Sequence, residues 1–449
     1  MFFEDIGDNE VFGLLMNKLK RNLNIKGVIK FILLPYNGIS TLIKRKHIVS
    51  KCKELERHYD RVINDINSRG DCGLSFGAYV IYDSSFGADG LVQLMLENKN
   101  YWRPQIVIIP DVSRGLKHMK NSYEKTKDFF VKKYGVENVI DGYDWDSNTF
   151  RDVSSLFDVI YCANPYDSMV DRVHSIEYLS SQNCLPFYIS YGYDVGKITT
   201  KQRLRGGELN YVWKCFTDTL YSQKDFKKYQ VIKGKNTSLV GYAKMDKYYA
   251  MDKKKKSKKK ILIASHHTVL SEELPLSNFL EYSQLVLELA ENNRDIDFVF
   301  RPHPLLFTKL VDRNIWTEEE VEEYLSSLER NGVECSQGGD YFELFAECDA
   351  IINDCGSFTV EWLYTGKPGC FVYNKKLCPD ILTELMNKAI ETYTVARKEE
   401  DIINFVNDVK YNRVKTHKID KWVMDNIFVK YPYVSKCILD EIDLLKEKR

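Results

Sequence analysis

From Tyr79 to Tyr373 the chain repeats one pattern: a short apolar run closes on a polar turn, and a longer stretch with helical spacing follows. The run in FGAYVIYDSSFGADGLVQLML ends at Asp83-Ser84-Ser85, and a helical stretch begins near Asp89. Gln105 to Ile109 ends at Pro110-Asp111, Asp158 to Cys162 runs into Asn164-Pro165-Tyr166-Asp167, and Leu185 to Ser190 ends in Tyr191-Gly192-Tyr193. Ser238 to Val240 leads into Gly241-Tyr242-Ala243-Lys244-Met245-Asp246. After the lysine-rich run Lys253 to Lys260 the rhythm restarts with Ile261 to Ala264, Phe298 to Phe300, Ala350 to Ile352 and Cys370 to Tyr373. Apolar runs of strand length alternating with helical patterns predict βαβ units, hence an α/β protein with parallel sheets. Thr317 with Glu320 and Asp340 with Glu343 have the spacing of helix capping boxes.

A chain of 449 residues exceeds what one hydrophobic core usually supports, so the restart is read as a second domain. The expected organisation is a basic helical segment over 1–70, a first Rossmann-like domain over 71–246, a lysine-rich linker over 247–260, a second Rossmann-like domain over 261–400, and helices over 401–449 that pack back on the first domain. Lysine plus arginine equal aspartate plus glutamate at 64 each, so no global field points to nucleic acid, and KKKKSKKK reads as a solvated linker. The charge is local: between Val11 and Lys53 ten basic residues and no acidic one are interleaved with leucine and isoleucine. That segment suits an anionic membrane surface as well as a solvated helix packed on its own domain, and Pro35 and Gly38 predict two short helices. Eleven scattered cysteines without a CxxC pair read as free thiols in a reducing compartment. With no signal-peptide pattern at the amino terminus, the expectation is a cytoplasmic protein, peripheral to the membrane at most.

Parallel strands present their carboxyl ends on one edge, where open α/β sheets bind ligands. Three strands of the second half end in Ser265-His266-His267, Arg301-Pro302-His303-Pro304 and Asn353-Asp354-Cys355-Gly356-Ser357. One rim is therefore expected to gather His266, His267, Arg301, His303 and the helix start at Gly356. Arginine grips phosphate oxygens bidentately, and histidine moves protons or hydrogen-bonds a developing charge. Gly356 lets backbone approach a ligand, Ser357 and Thr359 offer hydroxyls, and Glu361 lies one turn along on a face suited to ribose. The expected guest is a phosphate. Gly-Ser also suits an ordinary helix cap, so only the combination of loops carries the reading. A metal would want carboxylates or thiolates beside the histidines, and only Asp354 and Cys355 qualify, so no metal is assigned. On the first domain, Asp83, Ser84, Tyr191 and Gly192 hold the equivalent strand ends and are expected to face a second substrate, as an acceptor side.

On these residues the chain resembles the CDP-glycerol glycerophosphotransferase family. Arg301-Pro302-His303-Pro304 is similar to that family's histidine loop, and Asp354-Cys355-Gly356-Ser357 to its Asp-Tyr-Ser-Ser motif. Thr365-Gly366-Lys367-Pro368 and the Gly241 to Asp246 passage match two further family turns. The His-His loop, Pro302-His303-Pro304-Leu305-Leu306 and the Asp-Cys-Gly-Ser-Phe-Thr run look like a divergent branch from capsule and surface-polysaccharide clusters. The resemblance implies a GT-B architecture, with two Rossmann-like domains facing across a cleft and the nucleotide held by the second. It also implies transfer of a polyol phosphate from a CDP-activated donor to a hydroxyl of a glycan or lipid-linked acceptor, with release of CMP and no cofactor. The family's first-domain His-Gly is replaced here by Tyr191-Gly192, so His267, with His266 as its substitute, takes the role of base or phosphate ligand. Sugar-nucleotide glycosyltransferases and non-hydrolysing epimerases share this architecture, and a scaffold without catalysis is the third reading.

Overall fold

The computed structural model describes residues 26–70, 73–251, 258–337, 340–414 and 421–445. Residues from Glu54 onward form one compact unit. Lys26–Ser68 is a single helix, not the expected pair: Pro35 removes one backbone donor and Gly38 adds entropy cost, and neither ends the helix. Residues 11–25 of the basic segment lie outside the described residues. No helix among the described residues is long and apolar enough to cross a membrane.

The first sheet holds β1 (Leu74–Val80), β2 (Trp102–Ile108), β3 (Val139–Asp141), β4 (Val159–Cys162), β5 (Leu185–Ile189), β6 (Lys214–Thr217) and β7 (Thr237–Leu239). Their spatial order is 3-2-1-4-5-6-7 and every pairing is parallel. The second sheet repeats the winding with β8 (Lys259–Ala264), β9 (Ile296–Phe300), β10 (Glu334–Cys335), β11 (Ala350–Asn353), β12 (Gly369–Val372) and β13 (Thr394–Ala396), ordered 10-9-8-11-12-13. β4, β5, β11 and β12 are buried at every position, which is why they read as unbroken apolar runs: helices cover both faces. The order reverses between β1 and β4 and between β8 and β11, so each sheet has one crevice at its carboxyl edge.

Two local expectations are corrected. Strand β8 starts at Lys259, inside the lysine run, and Lys260 is buried with its ammonium between Glu334 at 2.8 Å and Glu347 at 3.1 Å. A solvated linker cannot include it. Thr317 and Glu320 do form a capping box, but Asp340 and Glu343 do not. The helix Phe342–Glu347 starts one residue later than that spacing requires, and the Asp340 carboxylate instead accepts from the Phe342 amide at 2.9 Å and from Lys247.

The last helix, Val434–Asp443, lies on the first sheet domain. Asp246 accepts from the amides of Ser435 at 2.6 Å and Val434 at 3.3 Å, and Glu441 accepts from Lys214 and Ser238. The two sheet domains meet through paired contacts: the Tyr193 and Tyr364 hydroxyls at 2.9 Å, and the Thr383 amide with the Val195 carbonyl at 2.8 Å.

Candidate functional site

The crevice of the second sheet opens between β8 and β11, and the loop after β9 joins it. Asp354 ties these loops together. Its buried carboxylate accepts from the His266 amide at 2.6 Å and the Asn278 amide at 2.5 Å, linking the loops after β8 and β11 to the start of the helix Phe279–Asn292. Burial pushes this carboxyl up to about 7 although those amides pull the other way. The His303 amide donates to the Ser265 carbonyl at 2.8 Å and so fixes the loop after β9 against the loop after β8.

The result is a cluster of three imidazoles. Ring centroids of His267 and His303 lie 4.0 Å apart, His266 and His267 4.4 Å, and His266 and His303 5.4 Å. Burial holds all three toward the neutral form: His303 is lowered to about 3 by burial and then by His267, and His267 to about 4 by burial and then by Lys309 and Arg114. His266 is lowered well below the ordinary histidine value by burial and its two neighbours. The tautomer of His303 follows from its contacts. Its Nδ1 accepts the Leu305 amide at 3.1 Å, so in the neutral ring the proton sits on Nε2. That nitrogen is a hydrogen-bond donor without being charged.

Ligand atoms of His266, His267 and His303 fall within 4.8 Å of one another, close enough to consider a metal. The other candidates do not join them: the Asp354 carboxylate is committed to backbone amides, and burial pushes the Cys355 thiol well up. Nε2 of His303 offers a proton where a metal needs a lone pair. In this tautomer His303 offers a donor to an anion, while neutral His266 and His267 each keep one lone pair.

Arg301, at the end of β9, is buried, with its guanidinium on Ser336 Oγ at 2.7 Å and 5.8 Å from the Tyr341 ring centre. Lys244, from the first domain, lies over the same ring at 5.0 Å and donates to the Ser84 carbonyl at 3.2 Å. Gly356 and Ser357 open the short helix Gly356–Glu361. Gly356 must be glycine here, because an added Cβ would come within 2.5 Å of Val195 Cγ2 from the first domain. A Cβ on Gly192 would sit 3.6 Å from Ser357 Oγ, so the loop after β5 rests on this helix start. Asp83 and Ser84 occupy the loop after β1, Ser84 exposed and Asp83 half-buried.

Thr359 and Glu361 do not take the places expected of them. The Thr359 hydroxyl is fully buried, 2.6 Å from the Cys355 carbonyl and 2.8 Å from Asn353 Oδ1, so it braces its own turn and offers nothing to a ligand. Glu361 is buried too, its carboxylate accepting from Tyr242 at 3.0 Å and from Tyr341. In a six-residue helix packed between domains, positions 359 and 361 face inward, and Ser357 and Phe358 stay partly open. Tyr191 is half-buried, and burial and Tyr166 raise its phenol so that it remains neutral.

A group outside the expected set stands on the first domain. Asp111, fully buried after β2, accepts from Tyr82, from the Ser113 amide at 2.8 Å and from Ser113 Oγ at 2.5 Å. Tyr82 Oη is also 3.0 Å from His118 Nε2. The strand-end rule applied to β2 points to Asp111, but His118 sits on a helix and Tyr82 reads as part of an apolar run, so no local signal marks them.

No family model and no curated protein matches the chain. Solved structures do, and they define the class: the chain has the GT-B fold of two Rossmann-like domains. Similar structures include a variant of the wall teichoic acid polymerase TagF, with TM-score 0.56 and 14% identity over 91% of this chain and 98% of that one. A UDP-N-acetylglucosamine 2-epimerase aligns with TM-score 0.51 and 12% identity over 84% of this chain and 97% of that one. S. aureus MnaA with UDP aligns with TM-score 0.50 and 13% identity over 82% and 96%.

Proposed function

We propose that the protein is a transferase that moves a polyol phosphate from a CDP-activated donor to a hydroxyl of a glycan or lipid-linked acceptor, releasing CMP. The observation that carries this reading is the meeting of three loops at the β8/β11 crevice, where three buried neutral imidazoles cluster and the first domain's Gly192 loop meets Ser357. The donor's diphosphate binds there. His303 donates from Nε2 to a phosphate oxygen, Arg301 supplies the fixed positive charge, and Ser357 adds a hydroxyl. The acceptor oxygen attacks the distal phosphorus as its bond to the bridging oxygen breaks, and these donors stabilise the charge that gathers on departing CMP. His266 and His267 serve as further phosphate ligands and not as the base, since a ring lowered to about 4 takes a proton poorly near neutral pH. Support from fold neighbours is limited to what they carry: a TagF structure was soaked with CDPG, and MnaA was solved with UDP.

A second reading is a sugar-nucleotide enzyme, favoured by the UDP-linked neighbours. The products separate the two. Pure protein incubated with a panel of CDP- and UDP-linked donors and hydroxyl acceptors releases CMP if polyol phosphate moves, and CDP or UDP if a sugar moves. No nucleotide binding in calorimetry with the same panel removes both and leaves the scaffold reading.

A further inference from the structure

The donor rim lacks a base. Its three imidazoles are held neutral and weakly basic by burial, and Tyr191, which stands where the family's histidine is expected, is a neutral phenol. The first domain carries another histidine in a different kind of setting. Its elements are the loop after β1 with Tyr82, the loop after β2 with Asp111, Ser113 and Arg114, and the first turn of the helix Leu116–Tyr134 with His118.

The hydrogen bonds run in one direction. Asp111 has no exposure and accepts from Ser113 twice, so it is a fixed carboxylate, held below the ordinary range by those bonds, Tyr82 and Arg114 against the push of burial. Tyr82 spends its single proton on Asp111. The phenol oxygen then accepts from its other neighbour, which is His118 Nε2–H at 3.0 Å. With the proton on Nε2, the lone pair of the neutral imidazole is on Nδ1. The Asp111 carboxylate behind Tyr82 has its Oδ2 3.9 Å from Nε2, and Arg114 Nε lies 3.5 Å from the same oxygen. The side chain is 38% exposed, so a substrate can reach it. The group stands on the carboxyl edge of the first sheet. The loop that carries Tyr82 also carries Ser84, whose carbonyl takes Lys244 beside Tyr341, and the charge of Arg114 is felt at His267 in the second domain.

We infer that His118 is the general base of the transfer, and that Tyr82 and Asp111 are its positioning residues; this rests on the donor-site reading above. The acceptor's O–H gives its proton to His118 Nδ1 while its oxygen forms the new bond to the distal phosphorus. The bond from that phosphorus to the bridging oxygen breaks, its electron pair leaves with CMP, and His118 returns the proton to solvent.

The test measures nucleotide release and donor affinity together. His118→Gln is expected to lower kcat about 100-fold or more, with the calorimetric Kd for the donor within twofold of wild type. Tyr82→Phe, which keeps the ring and loses the relay oxygen, is expected to lower kcat about tenfold at the same Kd. Added imidazole is expected to restore part of the turnover of His118→Ala. A His118→Gln protein with wild-type kcat overturns the inference, as does a wild type that binds donors yet releases nucleotide from none. A wild type that binds no nucleotide instead removes the donor-site reading beneath it.

Discussion

The two sheets of this protein are wound alike, yet their carboxyl edges have opposite chemistry. The second domain's edge gathers three buried imidazoles, and the Asp354 carboxylate is turned inward to hold loops together. The first domain's edge gathers a buried carboxylate, phenols and one half-exposed histidine. An identical strand order therefore fixes where side chains converge and says nothing of what they do there. On the reading proposed above, one edge meets negative charge and the other takes up a proton. On that reading the two edges bring a phosphate and a hydroxyl together.

The strongest way to break this contrast is to remove the central donor. His303→Ala is expected to lower turnover about 100- to 1000-fold and to weaken donor binding, because the lost Nε2–H faces charge that grows in the transition state. His118→Gln is expected to spare binding, so the pair separates the two edges in one calorimetric series. If His303→Ala keeps wild-type affinity and turnover, the second edge is not the donor edge.

Next in size is a stability effect at Asp354. Its replacement by alanine strands the buried amides of His266 and Asn278, at a cost of about 3 kcal/mol. Asparagine keeps an acceptor and should lose less. Chemical denaturation of the three proteins checks this, and equal stability of all three would mean that the loops are held by other contacts.

The second domain's edge was the more legible in the sequence for a physical reason. His266, His267 and His303 follow soon after apolar strands, so the meeting of their rings needs only the rule that parallel strands share an edge. What sequence could not supply was direction. Thr359 and Glu361 lie at the right distance along the chain from Ser357, but whether a helical side chain faces a cleft or a neighbouring domain depends on packing, and here the Val195 loop and Tyr242 lie against that turn. The first edge was less legible still, because its relay is assembled from a strand end, a loop and a helix, none with a motif of its own.

The inward turn of Thr359 has a modest, separable effect. Thr359→Val conserves shape, removes the bonds to Cys355 and Asn353, and is expected to cost about 1–2 kcal/mol of stability with donor affinity unchanged. Donor affinity that falls tenfold with stability intact would return Thr359 to the binding site.

The smallest expected effect is the most discriminating about charge. Because burial lowers His303 to about 3 and His267 to about 4, both rings are neutral throughout pH 6–8, and donation from Nε2 needs no added proton. A nucleoside diphosphate esterified at its far end does not itself titrate there, so its Kd is expected to vary less than twofold across that range. An edge that recruited imidazolium would lose about tenfold in affinity per pH unit above the relevant pKa. The apo protein gives the matching sign. Folded values below the ordinary 6.5 mean that the unfolded chain binds more protons as pH falls, so stability from these rings is full above 6.5 and is lost as pH falls through 4 and 3. Asp354, raised to about 7, acts oppositely in an overlapping window, so the comparison is the difference between wild type and His303→Ala, in which that carboxyl is common. The variant's Tm is expected to fall less than that of wild type between pH 6.5 and 4; equal falls would mean that His303 is already charged near neutral pH and that the second edge binds by charge and not by neutral donation.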